Sequence, residues 1–263
     1  MHTDKLPERT RDVWEVLRQD PHLRGFVLVG GTALTLRLAH RISEDLDLVW
    51  ASPTQNINTD LPVHRIQEWV RDCRHRGMDI AKVNHVAEEQ DFLNDGLDLN
   101  DFQQDYIING VKVTLFKASP ELAGFVQKES AQATTAPVVA SLDTLFAAKA
   151  LVLTERRKTR DWFDLYILLQ QDFTMADVRQ VFTDAHAPYQ WDSAVQQLVT
   201  LIPGFNDEGY THLLEKGPPP SLDDLRTFFR QAITQLAQQD AYALEASREG
   251  QDPIDPNEPH PGS

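Results

Sequence analysis

The stretch 26–50 contains the feature that most restricts the fold: two short apolar runs separated by a glycine pair and a helix-like segment. Phe26-Val-Leu-Val29 predicts a buried strand that ends at Gly30-Gly31. Leucines at 34, 36 and 38 with alanines at 33 and 39 predict a helix over 32–40 that starts at the glycine turn. Leu46, Leu48 and Val49 predict a second strand. This order of elements predicts a small α/β unit.

Two carboxylates intrude into the second strand. Asp45 and Asp47 lie two residues apart, so in a strand they point to the same face with their Cα atoms roughly 7 Å apart. The two charges repel each other, and one carboxyl group has a raised pKa unless a cation lies between them. One interpretation is an edge strand with one face in water, in which polar and apolar residues simply alternate. The other is a site for a hard divalent cation such as Mg²⁺, which proteins hold through one or two carboxylates and substrate phosphates.

The glycine pair favours the second interpretation. A strand that ends in Gly-Gly and continues as a helix presents free backbone N–H groups and the positive end of the helix dipole, which together bind anions. A phosphate-binding turn followed by a carboxylate pair is the arrangement that phosphoryl or nucleotidyl transfer requires. Gly-Gly alone is weak evidence, because it also occurs in tight turns.

The rest of the chain divides into two parts. A helix is predicted over 8–18 and another from Pro62 to about residue 76, followed by strand-like segments near 79–87, 97–108 and 111–117. Asn109-Gly110 between the last two predicts a hairpin. From Ser141 the pattern is helical, over 141–155, 159–171, 174–185, 190–200 and 221–246. We therefore predict an α/β domain over 1–138, a helical domain over 139–250 and a disordered, acidic, proline-rich tail over 251–263.

The segments GGTALTLRLAHRISEDLDL and KALVLTERRKTRDWFDLYIL resemble two motifs of a known enzyme class. The first resembles the nucleotidyltransferases of the DNA polymerase β superfamily, in which Gly-Gly or Gly-Ser precedes Asp-x-Asp. Together they are similar to the AbiEii/AbiGii toxin family, the toxins of bacterial toxin–antitoxin or phage-defence pairs. The resemblance covers residues 26 to about 170. It implies an α+β fold: a polymerase β-like nucleotidyltransferase domain, with a small mixed sheet and flanking helices, followed by an all-helical domain.

The resemblance implies roles for residues of the first motif. Gly30, Gly31 and Thr32 would hold the nucleoside triphosphate. Asp45 and Asp47 would carry Mg²⁺ or Mn²⁺ and act in catalysis. Arg41 and Ser43 match positions common in the family and are assigned to the nucleotide site, although Ser43 alone could simply cap the polar turn. His40 is left out of the predicted site, because a lone histidine is more often structural.

In the second motif, the resemblance implies that Lys149 contacts the triphosphate and that Asp161 and Asp164 are catalytic acids. On a helix from residue 159, Arg160 and Asp164 share a face, and Arg160 joins the predicted nucleotide contacts. Asp164 lies in the apolar run WFDLYILL, where burial without a partner would be costly, so a paired or functional role is expected. The alternative for each of Arg156, Arg157, Lys158 and Arg160 is a solvated face of salt bridges.

One departure from the superfamily concerns a third carboxylate on a later strand. The corresponding strand here, VKVTLF, offers Lys112 and Thr114 but no acid. Deprotonation of the acceptor hydroxyl would then fall to Asp161 or Asp164, or be assisted by the metal alone.

Charge and composition limit the partners. The net charge is -15, which argues against a general nucleic-acid-binding protein. Residues 171–263 hold 5 Lys and Arg against 15 Asp and Glu, whereas residues 1–170 hold 20 and 25. A local cationic cluster at 149–160 therefore leaves room for a phosphate-bearing substrate. The single Cys73 and the lack of a membrane span or signal-like segment favour a cytoplasmic protein.

The implied function is that of a toxin that transfers a nucleotide from an NTP to an RNA acceptor, a tRNA 3′ end, with Mg²⁺ and with a cognate antitoxin as partner. Two alternatives remain open from the sequence. The first is a nucleotidyltransferase that modifies a small molecule or a protein side chain. The second is a catalytically degenerate module that binds a nucleotide or a partner.

Overall fold

A six-stranded mixed sheet lies at the centre of the structure, a computed structural model that describes residues 1–51, 60–214 and 218–249. The strands of this described part are β1 (Phe26–Val29), β2 (Leu46–Trp50), β3 (Ile80–Val83), β4 (Gln103–Ile108), β5 (Val111–Lys117) and β6 (Val138–Val139). Their order is β3-β4-β5-β2-β1-β6. The pairs β2–β5 and β1–β6 are parallel, and the others are antiparallel. The predicted mixed sheet with flanking helices is confirmed.

The strand that contains Asp47 is central, not an edge strand. β2 pairs with β1 on one side and β5 on the other, so that Asp47 lies opposite Val29 and Thr114. The other face of β2 carries Leu46 and Leu48, and both side chains are fully buried. The edge-strand interpretation of Asp-Leu-Asp-Leu is therefore wrong, and the carboxylate of Asp47 needs a compensating charge.

Helices cover the sheet and form the rest of the chain. In the described residues they are α1 (Glu8–Leu17), α2 (Gly30–Leu38), α3 (Val63–His75), α4 (Val86–Asn94), α5 (Pro120–Ser130), α6 (Leu142–Leu151), α7 (Thr159–Leu169), α8 (Met175–Asp184), α9 (Trp191–Thr200) and α10 (Leu222–Glu249). The helical C-terminal region is confirmed, and α2 begins at the glycines instead of after them. The strand predicted from residue 97 begins only at Gln103.

The hairpin at Asn109-Gly110 forms as predicted, because both residues adopt the positive φ angles that a tight β4–β5 turn requires. Two helices, α4 and α5, were not predicted. A Ser119 N-cap followed by Pro120 starts α5, which is an ordinary signal for a helix start. No residue of α4 is buried, so its sequence lacks an apolar face that would indicate a helix.

Buried apolar side chains form one cluster that extends from Leu6 to Leu236, across the predicted division at 138/139. β6 lies at that division and adds to the sheet beside β1. The division into two domains stays a prediction. The predicted disordered tail, 251–263, lies outside the described residues.

Candidate active site

The turn between β1 and α2 forms one wall of the site. Gly30 has φ +72°, a conformation that favours glycine, and a Cβ at this position would lie 2.5 Å from Asp47 Oδ2. A Cβ on Gly31 would collide with the guanidinium of Arg41 and lie 2.8 Å from Ser43 Oγ. Both glycines are therefore required by close packing against the predicted site residues, and the start of α2 faces the same space.

Two buried threonines of α2 hold the following loop. Thr32 Oγ1 donates to the Asp45 carbonyl and lies 3.0 Å from Ser43 Oγ. Thr35 Oγ1 donates to the Arg41 carbonyl at 2.8 Å. Thr32 is 1% exposed, so it positions Ser43 and Asp45 instead of lining the cavity. The family resemblance had implied that Thr32 contacts the triphosphate.

Asp45 and Asp47 lie side by side at the start of β2 and both line the cavity. Burial raises the pKa of Asp47, the negative charge of Asp45 raises it further, and the positive charges of Lys149, Arg156 and Lys112 oppose the rise. Two cavity-lining carboxylates on one face, one of them destabilised by burial and by its neighbour, fit the donor set that Mg²⁺ prefers.

A buried ion network lies behind the carboxylate pair. Lys149 Nζ is 2.7 Å from Asp161 Oδ1 and 2.7 Å from Asp164 Oδ2. Arg41 donates two hydrogen bonds to Asp164, at 2.7 and 2.9 Å, and His40 Nε2 is 2.8 Å from its Oδ1. His40, which sequence reasoning left out, therefore belongs to the network. Burial lowers the pKa of His40, so its ring is neutral and donates from Nε2.

The network keeps both carboxylates of α7, Asp161 and Asp164, in the ionised form. Burial alone would raise the pKa of Asp161, but the charges of Lys149 and Arg156 lower it to about 2. Burial acts in the same way on Asp164, and Lys149 and Arg41 outweigh it, so the pKa of this carboxyl lies well below its usual range. Both groups are stable anions that accept protons poorly, which makes them weak candidates for the general base.

The basic segment before α7 is anchored from two sides. Arg156 donates to both oxygens of Asp161, at 2.7 and 3.0 Å. Asp207 accepts hydrogen bonds from the Thr159 N–H at 2.9 Å and from its hydroxyl at 2.8 Å. The segment 156–160 is thereby held at the mouth of the cavity, where Arg156, Lys158 and Arg160 line it.

The cavity has a volume of ≈ 480 Å³. The predicted residues that line it are Gly30, Gly31, Arg41, Ser43, Asp45, Asp47, Lys149, Arg160 and Asp161. Thr32 and Asp164 lie behind it. Residues that line it without having been predicted include Gln103, Lys112, Thr114, Phe116, Glu155, Arg156 and Lys158. The alternation of VKVTLFK places Lys112, Thr114 and Phe116 on one face, which was the available signal.

A second group with metal-ligand geometry occurs elsewhere in the described residues. Atoms of Asp20, His22 and Asp72 lie within 4.8 Å of one another. The guanidinium of Arg76 pairs with Asp20 and lies 3.1 Å from Asp72, so both carboxylates of this group already have a cationic partner. Asp20 and His22 precede β1 and Asp72 lies on α3, whereas the glycine turn follows β1, and none of the three residues lines the cavity.

The mixed sheet, the glycine turn and the paired carboxylates define a nucleotidyltransferase-like domain. The family model described as "Nucleotidyl transferase AbiEii toxin, Type IV TA system" matches residues 12–257, and the chain belongs to this family. It is a nucleotidyltransferase toxin of a type IV toxin–antitoxin system, which implies an antitoxin partner. No curated protein matches the chain. Among the described helices, none has the length and apolar character to cross a membrane.

Proposed function

We propose that this protein transfers a nucleotide from an NTP to the 3′ hydroxyl of an RNA, a tRNA 3′ end, with Mg²⁺ held by Asp45 and Asp47. The observation that supports this most directly is the composition of the cavity. A glycine turn, a carboxylate pair and the cations Lys149, Arg156, Lys158 and Arg160 line one space. Because NTPs and tRNA are cytoplasmic, we place the reaction in the cytoplasm.

In this proposal the chain binds and orients the triphosphate. The N–H groups at the start of α2 face the phosphates, and the basic side chains from 149–160 neutralise them. A divalent cation on Asp45 and Asp47 would stabilise the charge that develops on the α-phosphate. The acceptor oxygen forms a bond to the α-phosphorus while the bond to the pyrophosphate oxygen breaks in line.

The reaction requires an acceptor for the proton of the attacking hydroxyl. Asp161 and Asp164 are ion-paired and have lowered pKa values, so they are poor proton acceptors. Thr114, which lies beside Asp47 in the sheet, has no basic group. We propose that the proton leaves to water, and that Asp161 and Asp164 instead fix Lys149, Arg41 and Arg156 in position.

The experiment is a transfer assay with the full chain, each labelled NTP in turn and total tRNA. We expect labelled tRNA with at least one NTP, dependent on Mg²⁺. Asp45→Asn and Asp47→Asn should each lose at least about 100-fold in rate, because each removes a charge that acts in the transition state. The matched control is Asp79→Asn at an exposed aspartate outside the cavity, which should retain wild-type activity.

Three outcomes contradict the proposal. Label that migrates with protein or with a low-mass product indicates a different acceptor. No product, together with no Mg²⁺-dependent nucleotide binding by calorimetry, indicates a degenerate binding module. Full activity of both Asp→Asn variants shows that the carboxylate pair is not the metal site.

A further inference from the structure

Lys112 stands on the opposite side of the carboxylate pair from the glycine turn. Neighbouring strands run in the order β4-β5-β2-β1, so Asp47 on β2 lies between Lys112 on β5 and the turn that follows β1. Lys112 lines the cavity, its side chain is 44% exposed, and its positive charge opposes the raised pKa of Asp47. The cations of 149–160 come from α6, α7 and the segment between them, not from the sheet.

A buried carboxylate holds Lys112 in this place. Asp105 pairs with Thr114 in register, and Thr114 pairs with Asp47, so the three side chains form a row on one face of the sheet. Asp105 Oδ2 lies 3.3 Å from Lys112 Nζ and 3.0 Å from His85 Nε2, and Gln103 donates to Oδ1 at 3.2 Å. Asp105 is 1% exposed. With both oxygens engaged, it serves to position Lys112 instead of acting as a third metal ligand.

The in-line geometry of nucleotidyl transfer indicates which of the two substrates Lys112 contacts. In nucleotidyl transfer the attacking and leaving oxygens lie on opposite sides of the α-phosphorus. If the glycine turn binds the leaving pyrophosphate, the acceptor approaches from the opposite flank, where Lys112 lies. An RNA acceptor brings a phosphodiester beside its attacking hydroxyl, and a half-exposed ammonium with free N–H donors matches that group.

We infer that Lys112, positioned by Asp105, binds a backbone phosphate of the RNA acceptor and not the triphosphate. This inference rests on the proposed function. It assigns Lys112 to acceptor binding and Asp105 to its positioning. It also predicts that the two substrates are bound by different cations. The NTP is bound by the basic side chains of 149–160, and the RNA is bound by Lys112 of β5.

The test measures KM for tRNA and for NTP separately in Lys112→Gln, Lys112→Arg and Asp105→Asn. We expect Lys112→Gln to raise KM for tRNA about tenfold and to leave KM for NTP within about twofold, because one charge-assisted phosphate contact is lost. Lys112→Arg, which keeps the charge, should restore most of the affinity. Asp105→Asn should shift KM in the same direction as Lys112→Gln. Lys128→Gln, at an exposed lysine of α5 outside the cavity, is the matched control.

A binding measurement separates this inference from the proposed function. Fluorescence anisotropy with labelled tRNA needs no turnover. The slope of the logarithm of the binding constant against the logarithm of salt concentration should become shallower by about 0.7 in Lys112→Gln. This is the effect of losing one phosphate contact to a single strand. If wild type binds tRNA but transfers nothing, the proposed function fails, and weaker binding by Lys112→Gln still supports the inference. An unchanged KM for tRNA, an equal rise in KM for NTP, or no tRNA binding by wild type overturns it.

Discussion

Three basic side chains converge on the carboxylate of Asp164: His40, Arg41 and Lys149. Asp164 is fully buried, and Arg41 and Lys149 are each at least nine-tenths buried. The charges of Asp164, Arg41 and Lys149 are stable in the interior only together, since an uncompensated buried ion loses its hydration. The network therefore connects α7 to the loop that carries Ser43 and Asp45, and the positions of the cavity-lining Arg41 and Lys149 depend on a carboxylate that does not line the cavity.

The first prediction concerns Asp164. Asp164→Ala should lower the free energy of unfolding by about 3–5 kcal/mol, because it leaves two buried cations without their partner. Urea unfolding followed by circular dichroism measures this loss. The control is Asp240→Asn, which removes the exposed pair with Arg179 and should not change the midpoint measurably. Equal midpoints for Asp164→Ala and wild type would show that the network does not stabilise the fold.

The second prediction concerns acid stability and Asp161. The pKa of this group is about 2 in the folded protein, against about 3.9 in an unfolded chain, so the unfolded state binds the proton more tightly. Its contribution, on the order of 2 kcal/mol, is fully present above about pH 5 and is lost as the pH falls towards 2. Asp161→Asn should therefore be less stable than wild type near pH 6, and the difference should shrink by pH 3.

Urea midpoints at pH 6, 4 and 3 test this dependence, with Asp79→Asn as the exposed control. A difference between Asp161→Asn and wild type that stays constant with pH would contradict it, because a constant loss indicates packing and not a titrating charge.

At the scale of elements, the turn between β1 and α2 determines the shape of the site. α2 begins at Gly30 itself, so its first free N–H groups lie beside Asp47 with no intervening loop. The tight connection is possible only because neither glycine carries a side chain. The proposed phosphate and metal sites are thus adjacent as a consequence of one turn.

The third prediction compares two glycines. Gly30→Ala should lower the free energy of unfolding by about 2 kcal/mol or more, through the positive φ and the collision with Asp47, and should abolish nucleotide binding. Gly124→Ala, in α5 with open space around the new methyl group, should instead stabilise by about 0.5–1 kcal/mol. Thermal unfolding and calorimetric titration with NTP measure both effects. Equal stability of the two variants would contradict the strain argument.

The elements that sequence reasoning identified are those with strong local signals: the apolar run of β1, the Asn109-Gly110 hairpin and the helices of the C-terminal region. α4 lacked such a signal because none of its residues is buried. The Asp105–Lys112 pair was missed although its signal was present, because a two-residue turn at Asn109-Gly110 fixes the register of β4 and β5. The placement of β5 beside β2, in contrast, brings together strands that are more than sixty residues apart in the chain. Periodicity gives the face of a residue, but not its partner across the sheet.

At the scale of the whole molecule, an acidic chain contains a cavity that is lined by six cationic and four acidic side chains. The net charge is -15, while Lys112, Lys149, Arg156, Lys158 and Arg160 all line one space. An acidic chain repels nucleic acid overall, so the cations of this cavity provide a local region of attraction. Binding of RNA should therefore be specific to the site and sensitive to salt. The C-terminal end of the chain is an acidic segment that begins after the last described buried side chain, Leu236.

The last prediction removes that segment. Residues 242–263 hold five acidic and one basic side chain, and the described side chains from 237 to 247 are all exposed. A chain that ends at Ala241 should keep its Tm within about 2 °C, because the described side chains that it loses, 242–247, are exposed. Its KM for tRNA should fall by about two- to fivefold at low salt and match wild type at high salt, where the repulsion is screened. A full-length variant with Asn and Gln at the five acidic positions separates charge from length. If the shortened chain binds tRNA more tightly but the neutralised variant does not, the segment acts by blocking access and not by its charge.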